Sequence, residues 1–390
     1  MENKKIGLAI NYDYPDYGGM LQAYATYYKL EKLGYEPETL NIYNLTDSIK
    51  KRKIKYFVKN ILDFSIVKEK GQVVLKKIRI KLNKEFGSNM AIRYKAFELF
   101  CKENFHTSKI FKDWNDISKS CHSYKAVVVG SDQLWLPSNI EGDYYTLNFV
   151  PDSVKKIAYA TSFGVAEIPK IQEKKVAYFL NRIDFLSARE ESGKKIIKKF
   201  TGRNVPLVCD PALLLDDSEW DEIATPNRII KEPYIFCYFM GNNPWQRRFV
   251  LELKKKTECK IVSLLHLDQY IASDESYVDK SPYDVSPADF LNLVKNANYV
   301  CTDSFHGTVF SIIYKRNFFT FKRFSDKATL STNTRIDTLL NQMKLKERLV
   351  LEGNTVNEML ERKINFEVVQ EHLEEFRKES LRYLVDSINS

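Results

Sequence analysis

The sequence predicts two α/β domains, each a parallel sheet covered by helices on both faces. Short apolar runs alternate with helical patterns along the chain, as parallel sheets with crossover helices require. The alternation restarts after residue 204, and 390 residues exceed the roughly 250–300 at which a single core stops growing. With 44% hydrophobic and 28% charged residues, the chain has the composition of a globular protein and not of a disordered one. The expected units are residues 1–204, residues 205–365 and a C-terminal helix, 366–390, packing back across the domains.

The first unit opens with a strand (Lys5 to Tyr12), a turn through Gly19, a helix (Met20 to Leu33) stopped at Gly34, and a second strand (Pro37 to Tyr43), a βαβ start. A helical pattern from Ala91 to Asn104 precedes strands at Ala126–Val129, Lys156–Thr161 and Phe185–Ala188. In the second unit, Leu207 to Pro211 closes one strand and Tyr234–Phe239 forms another. Helices at Gln246–Thr257, Pro287–Ala297, Thr308–Lys315 and Arg335–Met343 then alternate with strands at Lys260–Leu265, Tyr299–Thr302 and Phe318–Phe321. Leu373, Phe376, Leu381, Leu384 and Val385 recur at helical spacing in the tail.

The N-terminus lacks the apolar region and cleavage site of a signal peptide, and no run of about 18 apolar residues occurs. A cytoplasmic location is expected. Six cysteines stand far apart without a CxxC pair or zinc-type spacing, which fits reduced, buried thiols. The net charge of +9 is local: residues 50–95 hold 15 Lys or Arg against Asp63, Glu69 and Glu85, a net of +12, which leaves the remainder slightly acidic. Interleaved Phe57, Val58, Ile61, Leu62, Phe64, Ile66 and Val67 fit a solvated helical face or an amphipathic helix on an anionic membrane better than a nucleic-acid surface.

Ligands of open parallel sheets bind beyond the carboxyl ends of the strands. There the chain places Asp16, Tyr17, Gly18 and Gly19, then Ser131, Asp132 and Gln133, then Arg189 and Glu190, and finally Asp303, Ser304, His306 and Gly307. His306 lies at a strand-to-helix junction, whose free N–H groups attract phosphate or carboxylate. It reads either as an acid–base group or as a backbone-bonded histidine. Asp132 reads as a base or sugar contact, or as a turn cap; Arg189 reads as an anion anchor or half of an ion pair. Without a GxGxxG motif, Gly18-Gly19 does not indicate a dinucleotide site.

Taken together, Asp16-Tyr17-Gly18-Gly19-Met20-Leu21-Gln22-Ala23, Val129-Gly130-Ser131-Asp132-Gln133-Leu134-Trp135, Ser187-Ala188-Arg189-Glu190, Cys209-Asp210-Pro211 and Thr302-Asp303-Ser304-Phe305-His306-Gly307 resemble the polysaccharide pyruvyl transferase family. The resemblance implies two Rossmann-like domains facing a cleft, similar to the glycosyltransferase B fold. It implies phosphoenolpyruvate as donor substrate, no cofactor or metal, and a sugar hydroxyl pair of a glycan or lipid-linked acceptor, closed into a cyclic ketal. His306 would be the acid–base residue, and Arg189, Ser304 and Gly307 would hold the donor. Asp16, Tyr17, Gly18 and Gln133 would meet the acceptor, with Asp132 or Asp16 assisting its hydroxyl. Many relatives carry Asn-Tyr-Gly-Ala where this chain has Asp16-Tyr17-Gly18-Gly19. The competing reading is a glycosyltransferase using a nucleotide sugar, whose diphosphate the same helix terminus would hold.

Overall fold

The computed structural model of the protein describes residues 3–59, 83–266, 270–271, 274, 276–324 and 334–390. Among the described residues ten strands form two sheets of five. The first contains β1 (Lys5–Ala9), β2 (Glu36–Thr39), β3 (Ala126–Val129), β4 (Lys155–Thr161) and β5 (Phe185–Ala188), in the order β2-β1-β3-β4-β5. The second contains β6 (Tyr234–Tyr238), β7 (Lys260–Ser263), β8 (Tyr299–Thr302), β9 (Asn317–Phe321) and β10 (Leu349–Val350), in the order β10-β9-β8-β6-β7. Every pairing is parallel. The two orders are the same: each sheet's first strand lies between its second and third, so the winding reverses there. The crevices beyond β1/β3 and β6/β8 are thus the topological switch points at which such sheets bind ligands.

Local sequence explains the elements that frame these crevices. β3, Ala-Val-Val-Val, is buried along its whole length, as a central parallel strand covered on both faces must be. The helix Tyr17–Lys32 begins at Asp16, whose carboxylate accepts from the Gly19 amide at 2.6 Å. The helix Phe305–Ile313 begins three residues earlier than its apolar run suggests, because Ser304 has extended backbone and its hydroxyl accepts from the Gly307 amide. His306 therefore stands inside the first turn. Gly307 is required there by packing: a Cβ would lie 3.0 Å from the Thr302 Cβ and closer to its hydroxyl.

The stretch expected to open the second sheet does not belong to it. Leu207 bridges Ala188 beside β5, and the Val208 amide donates to the Ala188 carbonyl at 3.0 Å. The next residues turn into the helical turn Pro211–Leu214, capped by Asp210. That turn packs on the helix Tyr17–Lys32. One hydrophobic core runs from Ile6 and Leu8 through Tyr17 and Leu21 to Phe236, Phe290 and Val309, spanning both sheets.

The C-terminal helix, Phe366–Asn389, crosses back to the first domain as its charged amphipathic pattern suggests. Its Ser380 hydroxyl accepts from the Cys209 amide at 2.8 Å, Arg377 donates to the Leu213 carbonyl at 2.7 Å, and Lys155 donates to the Ile388 carbonyl at 2.8 Å. Of the basic segment, Thr46–Lys59 and Lys84–Asn104 are helices. Ile61, Leu62, Phe64, Ile66 and Val67 lie outside the described residues. Among the described residues no helix is long and apolar enough to cross a membrane.

Candidate functional site

The carboxyl ends of β3, β5 and β8 meet the chain segment between the domains at one fully buried carboxylate, Asp210. Its Oδ2 accepts from the Ser131 hydroxyl at 2.9 Å and from the Arg189 guanidinium, and stands 3.5 Å from His306 Nε2. Its Oδ1 accepts from the Ala212 amide at 3.0 Å. Burial alone would raise the carboxyl's pKa, but His306 and then Arg189 outweigh burial and hold it well below the ordinary carboxylate range. Arg189 and His306 are 4% and 6% exposed. One buried carboxylate therefore bonds Arg189 of the first domain and stands close to His306 of the second, whose buried Nε2 makes no hydrogen bond.

Arg189 has more charge around it than Asp210 supplies. Asp132 lies 3.7 Å and Glu190 3.8 Å from its guanidinium, and its Nε and Nη2 are buried without a hydrogen-bond partner. Burial opposes its charge, but Asp210, Asp132 and Glu190 together keep it firmly protonated. Its Cζ stands 4.5 Å from the centroid of the Phe305 ring, and the Arg335 Cζ stands 5.8 Å from the same centroid. Arg335 is 7% exposed; burial first, then the neighbouring Arg189, bring its pKa down to about 10. Arg323 also acts on Arg335, and its own buried Nε has no hydrogen-bond partner, with the Asp303 carboxylate 4.0 Å away. Arg189 and Arg335 thus share the Phe305 ring, and Arg323 lies near enough to Arg335 to act on its charge.

Two carboxylates, Asp132 and Asp16, stand near them. Asp132 occupies the left-handed region at φ 74°, which aspartate tolerates better than most residues. That turn lets its carbonyl accept from Leu134 at 2.8 Å and Ser162 at 3.0 Å. Burial, then the charge of Asp132, raise the Asp16 carboxyl above its usual range, against the Gly19 amide, His306 and Arg323. Gly18 lies directly against His306: a Cβ at residue 18 would be 2.7 Å from the His306 Cβ and closer still to Nδ1 and Cγ of the ring. Only glycine lets the first helix approach the histidine so closely.

The structure therefore brings Asp16, Gly18, Asp132, Arg189 and His306 together. Tyr17 is placed differently from an acceptor-facing residue. It is fully buried, stacked 5.0 Å from Phe290, and its hydroxyl donates to the Val285 carbonyl at 2.9 Å, so it ties the two domains. Ser304 and the Gly307 amide bond to each other across 3.4 Å, so a donor anion taking that amide would displace the helix cap. Gln133 packs its amide over Gly164. Asp303 accepts from the Met240 and Gly241 amides at 2.6 and 2.9 Å, fixing the loop beyond β6. Among the described residues no three His, Cys, Asp or Glu side chains are grouped to hold a metal ion.

Sequence reasoning missed the roles of Asp210, Arg323 and Arg335. Asp210 belongs to one of the motifs, but its part as the shared partner is set by tertiary contact. Arg323 lies two residues beyond the end of β9, and that position near a strand end was the available signal. Arg335 sits in the first turn of the helix Thr334–Gln342, where nothing local distinguishes it from a solvated arginine.

A search of curated proteins finds no sequence relative. Among solved structures, UDP-N-acetylglucosamine 2-epimerase from Rickettsia bellii has a TM-score of 0.50 at 10% identity, over 100% of this chain and 98% of that one. UGT89C1 from Arabidopsis thaliana, complexed with quercetin, has a TM-score of 0.49 at 9% identity, over 99% of this chain and 100% of that one. At such identity the first likeness speaks for fold alone, and it agrees with two Rossmann-like domains about a cleft, as in the glycosyltransferase B fold. The profile of one family, polysaccharide pyruvyl transferase, matches residues 16–323. That span reaches from the Asp16 cap through Asp132, Arg189, Asp210 and His306 to Arg323, and on this match the chain belongs to the polysaccharide pyruvyl transferase family.

Proposed function

We propose that the protein transfers a pyruvyl group from phosphoenolpyruvate to two hydroxyls of a glycan or lipid-linked sugar, forming a cyclic ketal and releasing phosphate. The observation that carries this reading is the grouping of Arg189 and Arg335 on the Phe305 ring, with Arg323 acting on Arg335 and with Asp210 shared by Arg189 and His306. Phosphoenolpyruvate bears a phosphate and a carboxylate, and guanidiniums hold both well. In this reading His306 delivers a proton to the enol methylene carbon, and the adjacent carbon becomes electrophilic. A sugar oxygen bonds to that carbon as Asp132 or Asp16 accepts its proton. The carbon–oxygen bond to phosphate then breaks, with the electron pair leaving on phosphate beside the arginines. The second hydroxyl adds to the same carbon, loses its proton and closes the ring. No cofactor enters the scheme.

Thermal unfolding with phosphoenolpyruvate, and separately with UDP-sugars, tests it. A ligand at 100 times its Kd adds roughly 2.7 kcal/mol. Phosphoenolpyruvate is expected to stabilise the wild type and not Arg335→Gln, and His306→Ala to lower turnover about 10²–10⁴-fold. Stabilisation by a UDP-sugar alone would replace this reading with a nucleotide-sugar glycosyltransferase.

A further inference from the structure

The helix Thr46–Lys59 has two dissimilar sides. On one, Ile49 and Tyr56 are buried. Arg52 pairs with Asp143 at 2.9 Å and lies 4.6 Å over the Trp114 ring, and Lys53 donates to Asn139 at 2.6 Å. On the other side, Asp47, Lys50, Lys51, Ile54, Lys55 and Val58 are exposed. At about 100° per residue these six fall within an arc of roughly 140°. Ile54 and Val58, at 56% and 57% exposed, stand in the middle of it, with Lys50, Lys51 and Lys55 around them. Among the described residues no acidic side chain forms an ion pair with those lysines.

We propose that this face docks on an anionic phospholipid surface. Aliphatic side chains ringed by lysines suit the boundary between headgroups and acyl chains: the aliphatics enter the apolar layer, and the long lysine stems let the ammonium groups meet lipid phosphates. Charge complementarity extends beyond the helix, since residues 50–95 carry a net +12 while the rest of the chain is slightly acidic. A nucleic-acid surface has no use for two exposed aliphatics in the centre of the patch. The helix is also tied to the acceptor side of the cleft. Lys53 holds Asn139, and the Asn139 amide donates to the carbonyl of Gln133, next to Asp132, at 3.2 Å. A membrane-borne substrate would thereby be met by the domain that carries Asp16 and Asp132. The docking is independent of the reaction proposed above, and either can fail alone.

Flotation of the full-length protein with vesicles tests it. Vesicles containing phosphatidylglycerol are expected to carry the protein at low salt, and pure phosphatidylcholine vesicles to leave it behind. A lysine near an anionic leaflet favours binding about five-fold, so Lys50→Glu, Lys51→Glu and Lys55→Glu together should lower partitioning by at least on the order of 100-fold. Ile54→Ser with Val58→Ser should weaken the part of the binding that survives high salt. All five positions are exposed, and an unchanged melting curve shows that each variant is folded. Failure of the wild type to float with phosphatidylglycerol overturns the proposal. Undiminished flotation of the triple-lysine variant overturns it too, as does tighter binding of single-stranded RNA or duplex DNA than of the anionic vesicles.

Discussion

Replacing Asp210 by asparagine keeps the size of the side chain and an oxygen for the Ala212 amide, while it removes the charge and puts an NH2 in place of the Oδ2 that accepts from Ser131 and Arg189. Asp210 is fully buried, and Arg189 is 4% exposed. Breaking a buried ion pair costs about 3–5 kcal/mol, chiefly because the surviving charge is left without compensation. Asp132 and Glu190 remain 3.7 and 3.8 Å from the guanidinium, so the lower end of that range, about 3 kcal/mol, is expected by urea unfolding at neutral pH. Arg189→Met with Asp210→Asn should lose less than the sum of the two single changes, because each already removes the shared interaction. The same pair sets a pH dependence. His306 and Arg189 outweigh burial and depress the Asp210 pKa. A carboxyl depressed on folding stabilises fully above its unfolded pKa of about 3.9, and that contribution is lost as pH falls towards the folded value. The gap between wild type and Asp210→Asn should therefore be widest near neutrality and narrow below about pH 4. A loss under about 1 kcal/mol, strict additivity with Arg189→Met, or a gap that does not narrow in acid would refute Asp210 as the anchor.

Two further substitutions test the crevice beyond β1 and β3. Gly18→Ala puts a methyl group 2.7 Å from the His306 Cβ; it should cost about 1–3 kcal/mol of stability and lower kcat/KM. Gly19→Ala, whose nearest new contact is the Asp16 Oδ1 at 3.1 Å, should be milder in parallel melts and assays. Asp16→Asn keeps the helix cap, since asparagine caps as well as aspartate. Burial and Asp132 raise the Asp16 pKa, and a group raised on folding loses its contribution as pH rises through the folded value. Melts across pH should find Asp16→Asn equal to wild type in acid and more stable at neutrality.

The strands were the most legible part of the sequence. Ala126–Val129, Phe185–Ala188 and Tyr299–Thr302 coincide with β3, β5 and β8, because an apolar run bounded by polar residues leaves a buried parallel strand few alternatives. Leu207 to Pro211 looked the same and was misplaced: a short run can satisfy its amides against the edge of either domain, and here the free edge of β5 takes it. The first turn of the His306 helix was missed because Phe305 and His306 carry no helical periodicity, whereas the Ser304 cap alone fixes the start. Strand ends exposed Asp132, Arg189 and His306 as candidates. Tyr17 shares their loop, but its ring is large enough to be drawn into the core between Phe97 and Phe290, and an adjacent sequence position does not reveal that.

The placement of Asp210 has a consequence for how the cleft works. Arg189 comes from the carboxyl end of a strand in the first sheet, His306 from the first turn after a strand in the second, and the carboxylate that bonds the arginine and stands 3.5 Å from the histidine comes from the segment joining the domains. Gly18 presses against His306 from the first domain, and Tyr17, one residue earlier, bonds to Val285 in the second. Any rotation that opens the cleft must therefore separate the histidine from its carboxylate, its glycine wall, or both. His306 and Arg189 thus meet at Asp210 in this placement of the domains. Cys209, next to Asp210, is held by Ser380 of the returning helix, so that helix braces the segment that carries the shared carboxylate.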